Sequence, residues 1–574
     1  MKYIHLGLRD NLGIALPTII ISVVALTVTA AITTASLFGF FSKKNRVEDS
    51  EVVNIKDKVK AEISSIDIPS DRDELYDFEI ENILKKYGKV NYTFWGKKIK
   101  NLELDNGKKI DIKDLYSGKI RKSSAKDRYN SGLYSVTAKV NTPKLGKDMV
   151  GVYWSSGEKN NDGTYKASET STNIEVTSKD KEFSSLEWYN YVDGSAEGKG
   201  DIKISRWANA KNLKDGSYFV WIPRFEYKMT NEHTNQAGII TVNFIDASQV
   251  QPSTSGYKIH PAFTNGNGNY DKGEWDDEIP GFWIAKYEMG METSLNNKQW
   301  KGIEAAYIRS SKQGNRLTTD KIDLDGNKVY IRGVSKPNYY SWNCIGISNA
   351  YTNSKLYDEK NQSHLIKNSE WGAVAYLAHS QFGRNSNKVG MNTFYYNLNG
   401  FSKLTGFGSA SNEQVYRKYD ENTYKGSYGM GASTTGNLYG VYDMNGANWE
   451  YVAAYFSDNS NVKKYGKSLI EETNSSTSTK YVTIYPGEKA SISSCYGSWD
   501  NIYGDAIYET SKSTGLGCTW FYSYADGDTA EKEPFILRGG SFRDGSLSGI
   551  FAFRDDTGVS NYQNNGYRVV LIAK

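Results

Sequence analysis

The strongest constraint on this chain is a 32-residue stretch, Asn11 to Ser42, without a single charged side chain. Within it, Ile14 to Phe41 is strongly apolar. About 20 such residues reach across the hydrocarbon core of a bilayer, so the stretch reads as a membrane span or a targeting segment. Lys2, His5, Arg9 and Asp10 precede it, and Lys43, Lys44 and Arg46 follow it. Basic residues on both sides leave the orientation open. The pattern then continues without a breaker. Val52, Ile55, Val59, Ile63 and Ile66 recur at helical spacing until Pro69. The expectation is one long helix, lipid-soluble in its first half and packed on a soluble domain in its second.

The segment Gly13-Ile14-Ala15-Leu16-Pro17, a glycine between a short charged leader and an apolar helix, resembles the type IV pilins and pseudopilins. The resemblance implies a leader over 1–13, cleavage between Gly13 and Ile14, and a pilin-like transmembrane helix over 14–42. It also implies a membrane and pilin-like assembly subunits as partners. That family usually carries glutamate at the fifth mature position. Here that position is Thr18, as in some minor, tip-located members. A plain signal anchor and a secretory signal ending near Ala30 are the other readings of the same residues.

A chain of 574 residues should hold several domains. Its 70 basic and 66 acidic side chains nearly balance, which excludes a polycation built to coat nucleic acid. Only 10 prolines against 53 glycines and 43 tyrosines suggest a β-rich, loop-rich protein. Tyrosine is common in binding loops, and a tyrosine-rich core is the other reading. Cys344, Cys495 and Cys518 form no CxxC pair, so neither a disulfide scaffold nor a structural zinc site is expected. A Cys495–Cys518 bridge stays open.

Residues 43–138 read as a membrane-proximal α+β domain. A helix is expected over 70–87, with Ser70 as its cap, acids in its first turn, and Lys85, Lys86 and Gly88 at its end. A hairpin follows: Leu102 and Leu104 on one strand, Asp105-Asn106-Gly107 as the turn, Ile110 and Ile112 on the return. Residues 43–148 hold 24 basic and 18 acidic side chains, an excess that suits an anionic surface or simply a solvated face. Residues 139–214 read as a linker with β segments such as Met149 to Trp154.

Beyond residue 215 the chain carries Tyr218 to Pro223, Gly281 to Glu288 and Glu370 to Ala375. These precede Asp443-Met444-Asn445-Gly446-Ala447-Asn448-Trp449-Glu450, Arg538-Gly539-Gly540-Ser541-Phe542 and Gly566-Tyr567-Arg568. As an ordered set they resemble the formylglycine-generating, sulfatase-modifying-factor family, over 215–574. The resemblance implies a C-type-lectin-like fold with little regular structure. The fold class expected for the whole chain is therefore α+β, with a long N-terminal helix, a small α+β domain and an irregular lectin-like domain. Structural roles are expected for Trp449, Glu450, Arg538, Gly539, Gly540 and Arg568.

Active members of that family place two cysteines shortly after the arginine–glycine–glycine–serine run, and these bind copper and carry out the redox chemistry. The matching positions here are Asp544 and Gly549. Carboxylate is a harder ligand and glycine offers none, so no such enzyme activity is expected. A relative with altered chemistry is the alternative. The stretch Arg543 to Asn565 mixes charged, aromatic and small residues, as adaptable binding surfaces do. Lectin-like proteins varied by diversity-generating retroelements vary this same stretch. Candidate ligand contacts are Arg543, Asp544, Arg554, Asp555, Asp556, Asn561, Tyr562 and Asn564. The function expected is a non-catalytic adhesin or receptor on a bacterial surface, its ligand an unknown protein or glycan. A structural cap of a pilus-like or wall assembly is a further reading.

No cofactor is expected beyond a structural calcium, whose oxygens Asn265, Asn267, Asn269 and Asp271 would resemble. Tyr270 stands where an EF-hand needs glycine, and no glutamate closes the loop. Asp323, Asp325 and Asn327 around Gly326 read as a hairpin turn. His233, His260, His364 and His379 lack a nucleophile partner and are given no catalytic role.

Overall fold

The computed structural model describes residues 50–66, 74–93, 98–121, 142–169, 174–189, 205–293, 321–324, 327–339, 341–343, 345–384, 405–406, 423–425, 427–457, 460–485, 502–512, 515–516, 518–520, 524–525, 533–541, 544, 547–559 and 564–572. The chain divides into two compact units, Met1–Ser124 and Ala125–Lys574. Both helices and sheets build it, so the class is α+β. The apolar stretch 14–42, with Gly13 and Ile14, lies outside the described residues. Among the described residues no helix is long and apolar enough to cross a membrane.

In the first unit, helix α1 (Ser50–Ser64) follows the expected spacing, with Val59 and Ile63 buried. They pack with Ile80, Ile83, Leu84, Leu102 and Ile110. The next helix starts later than expected. Leu75–Tyr76 is extended and pairs with Ile120–Arg121, so α2 spans only Asp77–Lys85. Ser70 lies outside the described residues. The cap comes from Glu79, whose carboxylate accepts the Tyr76 N–H at 2.7 Å. Strands β1 (Lys89–Tyr92), β2 (Ile99–Glu103) and β3 (Lys109–Asp111) form one antiparallel sheet. Its hairpin pairs Leu102 with Ile110, as the alternation requires. Gly107 supplies the turn at φ +79°, and the Asn106 side chain accepts the Lys108 N–H at 3.0 Å. Ile112 opens a one-turn helix, Ile112–Leu115, rather than prolonging the strand.

The second unit contains two large sheets. The first uses β4 (Met149–Ser155), β5 (Ile174–Thr177), β6 (Asn209–Asn212), β7 (Tyr218–Pro223), β8 (Gly281–Ala285), β9 (His364–Leu365) and a closing strand, Val569–Leu571. Its order is β9, the closing strand, β8, β7, β6, β4, β5, all antiparallel. Within 139–214, which reads as a linker with β segments, β4 and β6 are interior strands of this sheet. All seven residues of β4 are buried, so its apolar run shows no alternation. Asp323 and Asn327 sit in strands Lys321–Leu324 and Asn327–Val334, which pair Leu324 with Asn327 as a hairpin requires.

The second sheet centres on β10 (Trp449–Phe456), again buried at every position. It pairs with β11 (Thr483–Tyr485), β14 (Phe535–Arg538) and β16 (Asn565–Tyr567). Beyond β14 lie β15 (Phe553–Asp556), β13 (Tyr524–Ala525) and β12 (Gly515–Leu516). The closing strand of the first sheet is thus β17. Helices α3 (Ile347–Tyr357), α4 (Asn368–His379) and α5 (Lys467–Thr473) pack on these strands, and α4 is buried along its whole length.

Trp207, Trp221, Trp283, Trp342, Trp371, Trp449 and Trp520 are all fully buried. Many tyrosines join them and donate their hydroxyls to buried carboxylates. Tyr227 and Tyr376 bond Glu509, Tyr451 bonds Asp556, and Tyr485 bonds Asp505. The tyrosine content therefore serves the core extensively.

Candidate functional site

The C-terminal stretch is mounted on β14, β15 and β16. Arg538 ends β14 and turns inward. Its guanidinium donates to Asn368 Oδ1 at 2.5 Å and to the carbonyls of Asp505 (2.7 Å), Ala506 (2.9 Å) and Ala552 (3.2 Å). Gly539 and Gly540 follow at φ +90° and +78°. A Cβ on Gly540 would stand 2.5 Å from Ser548 Cα, so the two segments touch through bare backbone.

This approach fixes the surroundings of Asp544 and Gly549. Asp544 folds back on its own loop, accepting from the Ser541 N–H and Oγ–H, both at 2.7 Å. Gly549 donates its N–H to the Gly539 carbonyl at 3.0 Å. One position is a brace and the other is backbone only.

Asn564 also reaches Ser541 Oγ, at 3.4 Å, and its carbonyl accepts the Trp449 N–H at 2.7 Å. Arg554 lies over the Trp449 ring at 5.3 Å, half-buried. Asp544, Asn564 and Arg554 are therefore gathered around Ser541 and Trp449. Arg543, Asn561 and Tyr562 lie outside the described residues. Asp555 and Asp556 are corrections: both belong to β15 and both are buried. Asp556 accepts from Tyr451 Oη (2.6 Å), the Gly558 N–H (2.7 Å), Asn565 Nδ2 (3.0 Å) and Arg554 Nη2 (3.3 Å). It braces the strands instead of facing a ligand.

Beneath lies a carboxylate pair that sequence reasoning did not single out as a pair. Glu450 is bound by Arg568, and Glu288 accepts from the Asn448 N–H (2.8 Å), from Asn448 Nδ2 (3.1 Å) and from Ser341 Oγ. Burial first, then the Glu450 and Asp443 carboxylates, push the Glu288 carboxyl well above the usual range. Glu288 closes the run Gly281 to Glu288, whose unbroken apolar start gave the only hint of its burial. Lys286, in the same run, is also buried. Its ammonium donates to Asn209 Oδ1 (2.6 Å), the Gly440 carbonyl (3.1 Å) and the Leu438 carbonyl, and burial lowers its pKa.

His260, His364 and His379 are buried in the core, and His233 is half-buried. His364 bonds Glu370 at 3.0 Å, His379 the Gly238 carbonyl at 3.0 Å, and His233 the Tyr508 carbonyl at 3.0 Å. His260 caps the Ala262 N–H at 3.3 Å. Among the described residues, no three His, Cys, Asp or Glu side chains are grouped to hold a metal ion. At 265–271, Asn265 and Asn269 accept the backbone N–H groups two residues on, and Asp271 accepts from Ser478. Cys344 and Cys495 lie outside the described residues. Comparison with family models and with curated proteins finds no match to this chain.

Proposed function

We propose that this protein is a non-catalytic binding protein displayed on a cell surface, a minor-pilin-like adhesin or receptor with a lectin-like head. The patch around Asp544, Arg554 and Asn564 contacts the ligand, a protein or a glycan. The observation that carries this reading is the fate of Asp544. Where the resembled enzymes need a thiolate, this chain has a carboxylate tied to Ser541, while the half-buried Arg554 and Asn564 stay at the rim. A rigid strand frame bearing a polar rim suits recognition.

The test is binding of the full chain, in detergent, to glycan and protein arrays. Joint alanine substitution of Asp544, Arg554 and Asn564 should abolish the signal while the melting temperature holds within a few degrees. Retained binding would overturn the site. The same protein should leave a sulfatase-type cysteine peptide unconverted, and formylglycine in that peptide would overturn the non-catalytic reading. For the anchor, a mature N-terminus at Ile14 by mass spectrometry supports pilin-type processing, and an intact Met1 opposes it.

A further inference from the structure

A cleft of about 490 Å³ lies between α3, α5 and Tyr481, away from the residues discussed so far. That volume falls in the range of about 300–1,000 Å³ over which small-molecule sites occur. Its charged lining is Glu359, Glu471 and Glu472 against one cation, Lys355, so it is acidic on balance.

Two observations define what it would take. First, the Tyr351 side chain borders the cleft at only 3 % exposure, and its buried hydroxyl faces the Glu472 carboxylate short of regular hydrogen-bond geometry. A buried polar atom left in this state is a place for a ligand atom. Burial first, and the nearby Glu472 carboxylate second, raise its pKa, so the phenol stays protonated and its oxygen can accept. Second, the cleft already holds an ammonium group of its own. Lys355 Nζ stands 3.4 Å from the centre of the Tyr481 ring and 3.6 Å from Glu472. The Tyr481 hydroxyl is directed to Gln362 at 3.5 Å. Aromatic face and carboxylate together make a cation seat. Burial lowers the Lys355 pKa despite Glu472, so the resident ammonium is held at a cost in solvation.

We propose that this cleft binds a small organic cation bearing a primary ammonium group, seated between Glu472, the Tyr351 hydroxyl and the Tyr481 ring in place of Lys355. Lys355 swings toward solvent as the ligand enters, which its partial exposure permits.

The experiment measures calorimetric binding of 5-amino-1-pentanol and of its neutral analogue 1,5-pentanediol to the full chain at low salt. The amine should bind saturably, and the diol at least about tenfold more weakly. Lys355→Met removes the internal competitor and should tighten the amine about threefold or more. Glu472→Gln should weaken it about tenfold, and Tyr351→Phe about threefold. Should Glu472→Gln unfold the protein, Glu471→Lys at an exposed position of α5 reverses a charge beside the cleft and should weaken binding likewise. Absence of saturable amine binding, equal binding of the diol, or weaker amine binding by Lys355→Met would each overturn the proposal.

Discussion

Arg568 and Glu450, 118 positions apart, meet in a bidentate ion pair from which water is fully excluded, with Nε to Oε2 at 2.9 Å and Nη2 to Oε1 at 2.7 Å. Nη1 and Nη2 also donate to the carbonyls of Ala285 (2.8 Å) and Tyr442 (2.9 Å). One arginine thus joins the C-terminal stretch, the last residue of β8 and β10. Burying such a pair is tolerable because four of the five guanidinium N–H groups are used, and removing one partner strands the other.

Glu450→Gln should therefore destabilise the protein by about 3–5 kcal/mol. Glu288→Gln, in the same network, should cost less, because burial and the neighbouring Glu450 and Asp443 carboxylates raise its pKa and disfavour its charged form, and it has no arginine bound to it as Glu450 has. Urea unfolding of both variants checks the contrast. Equal losses would show that Glu288 carries a full charge in the folded state.

What the sequence disclosed follows from local physics. The spacing of Val52, Ile55, Val59 and Ile63 and the turn at Asp105-Asn106-Gly107 are set by nearest neighbours, and both appear where expected. The helix start was misplaced because Leu75 and Tyr76 pair with Ile120 and Arg121, a partner 45 residues away that no local pattern reveals. Within 139–214 the run Met149 to Trp154 reads locally as a strand and β4 forms there, whereas the pairing of β4 with β6 and of β6 with β7 is long-range and no local pattern reveals it. At the candidate site, the tight glycine pair was legible in its composition. The burial of Asp555 and Asp556 was not, since two adjacent acids read as solvent-facing until Tyr451 and Asn565 are placed against them.

The stability of the second unit should respond to pH through Asp505 and the buried histidines, with opposite signs. Burial raises the Asp505 carboxyl from 3.8 to about 7. The folded state then holds a proton that the unfolded chain releases near pH 4, so this contribution is complete below pH 4 and lost as pH rises through 7. Burial lowers His260 to about 3 and His379 to about 4. The unfolded chain takes up those protons near pH 6.5, so their contribution is complete above that pH and lost as pH falls toward 3. Asp505→Asn keeps an acceptor for Tyr485 and should remove the loss between pH 4 and 7. Melting temperatures across that range decide it, and parallel curves for both proteins would refute the assignment.

Gly540→Ala should cost more than Gly107→Ala. Both positions have φ near +80°, so each substitution carries about 1 kcal/mol of backbone strain. Gly107 has nothing within 4 Å of the added Cβ, whereas at Gly540 it meets the Ser548 backbone at 2.5 Å. Expected losses are about 1 kcal/mol at Gly107 and about 3 kcal/mol or more at Gly540, with the Ser541–Asp544 brace displaced as well. Chemical denaturation, followed by fluorescence of the buried tryptophans, measures the second. Equal costs would mean that the Ser548 segment can yield.

A fragment beginning at residue 215 should fail to fold, while Ala125–Lys574 should fold. The shorter piece removes β4, β5 and β6, which leaves β7 an edge strand with Tyr218 to Pro223 unpaired on one side. It also removes Trp154, Trp188 and Trp207 from the core, each a large buried side chain. Trp207 anchors β6 by donating its indole N–H to the Phe382 carbonyl at 2.9 Å, and Asn209 on β6 accepts from the buried Lys286 ammonium. Without Asn209 that ammonium loses its only side-chain acceptor among the described hydrogen bonds, on top of an exposed apolar edge prone to aggregate. Soluble expression and a cooperative thermal transition are the readouts. A cooperatively folded 215–574 would mean that the first sheet is complete at β7, and that the strands before it are an appendage instead of half the core.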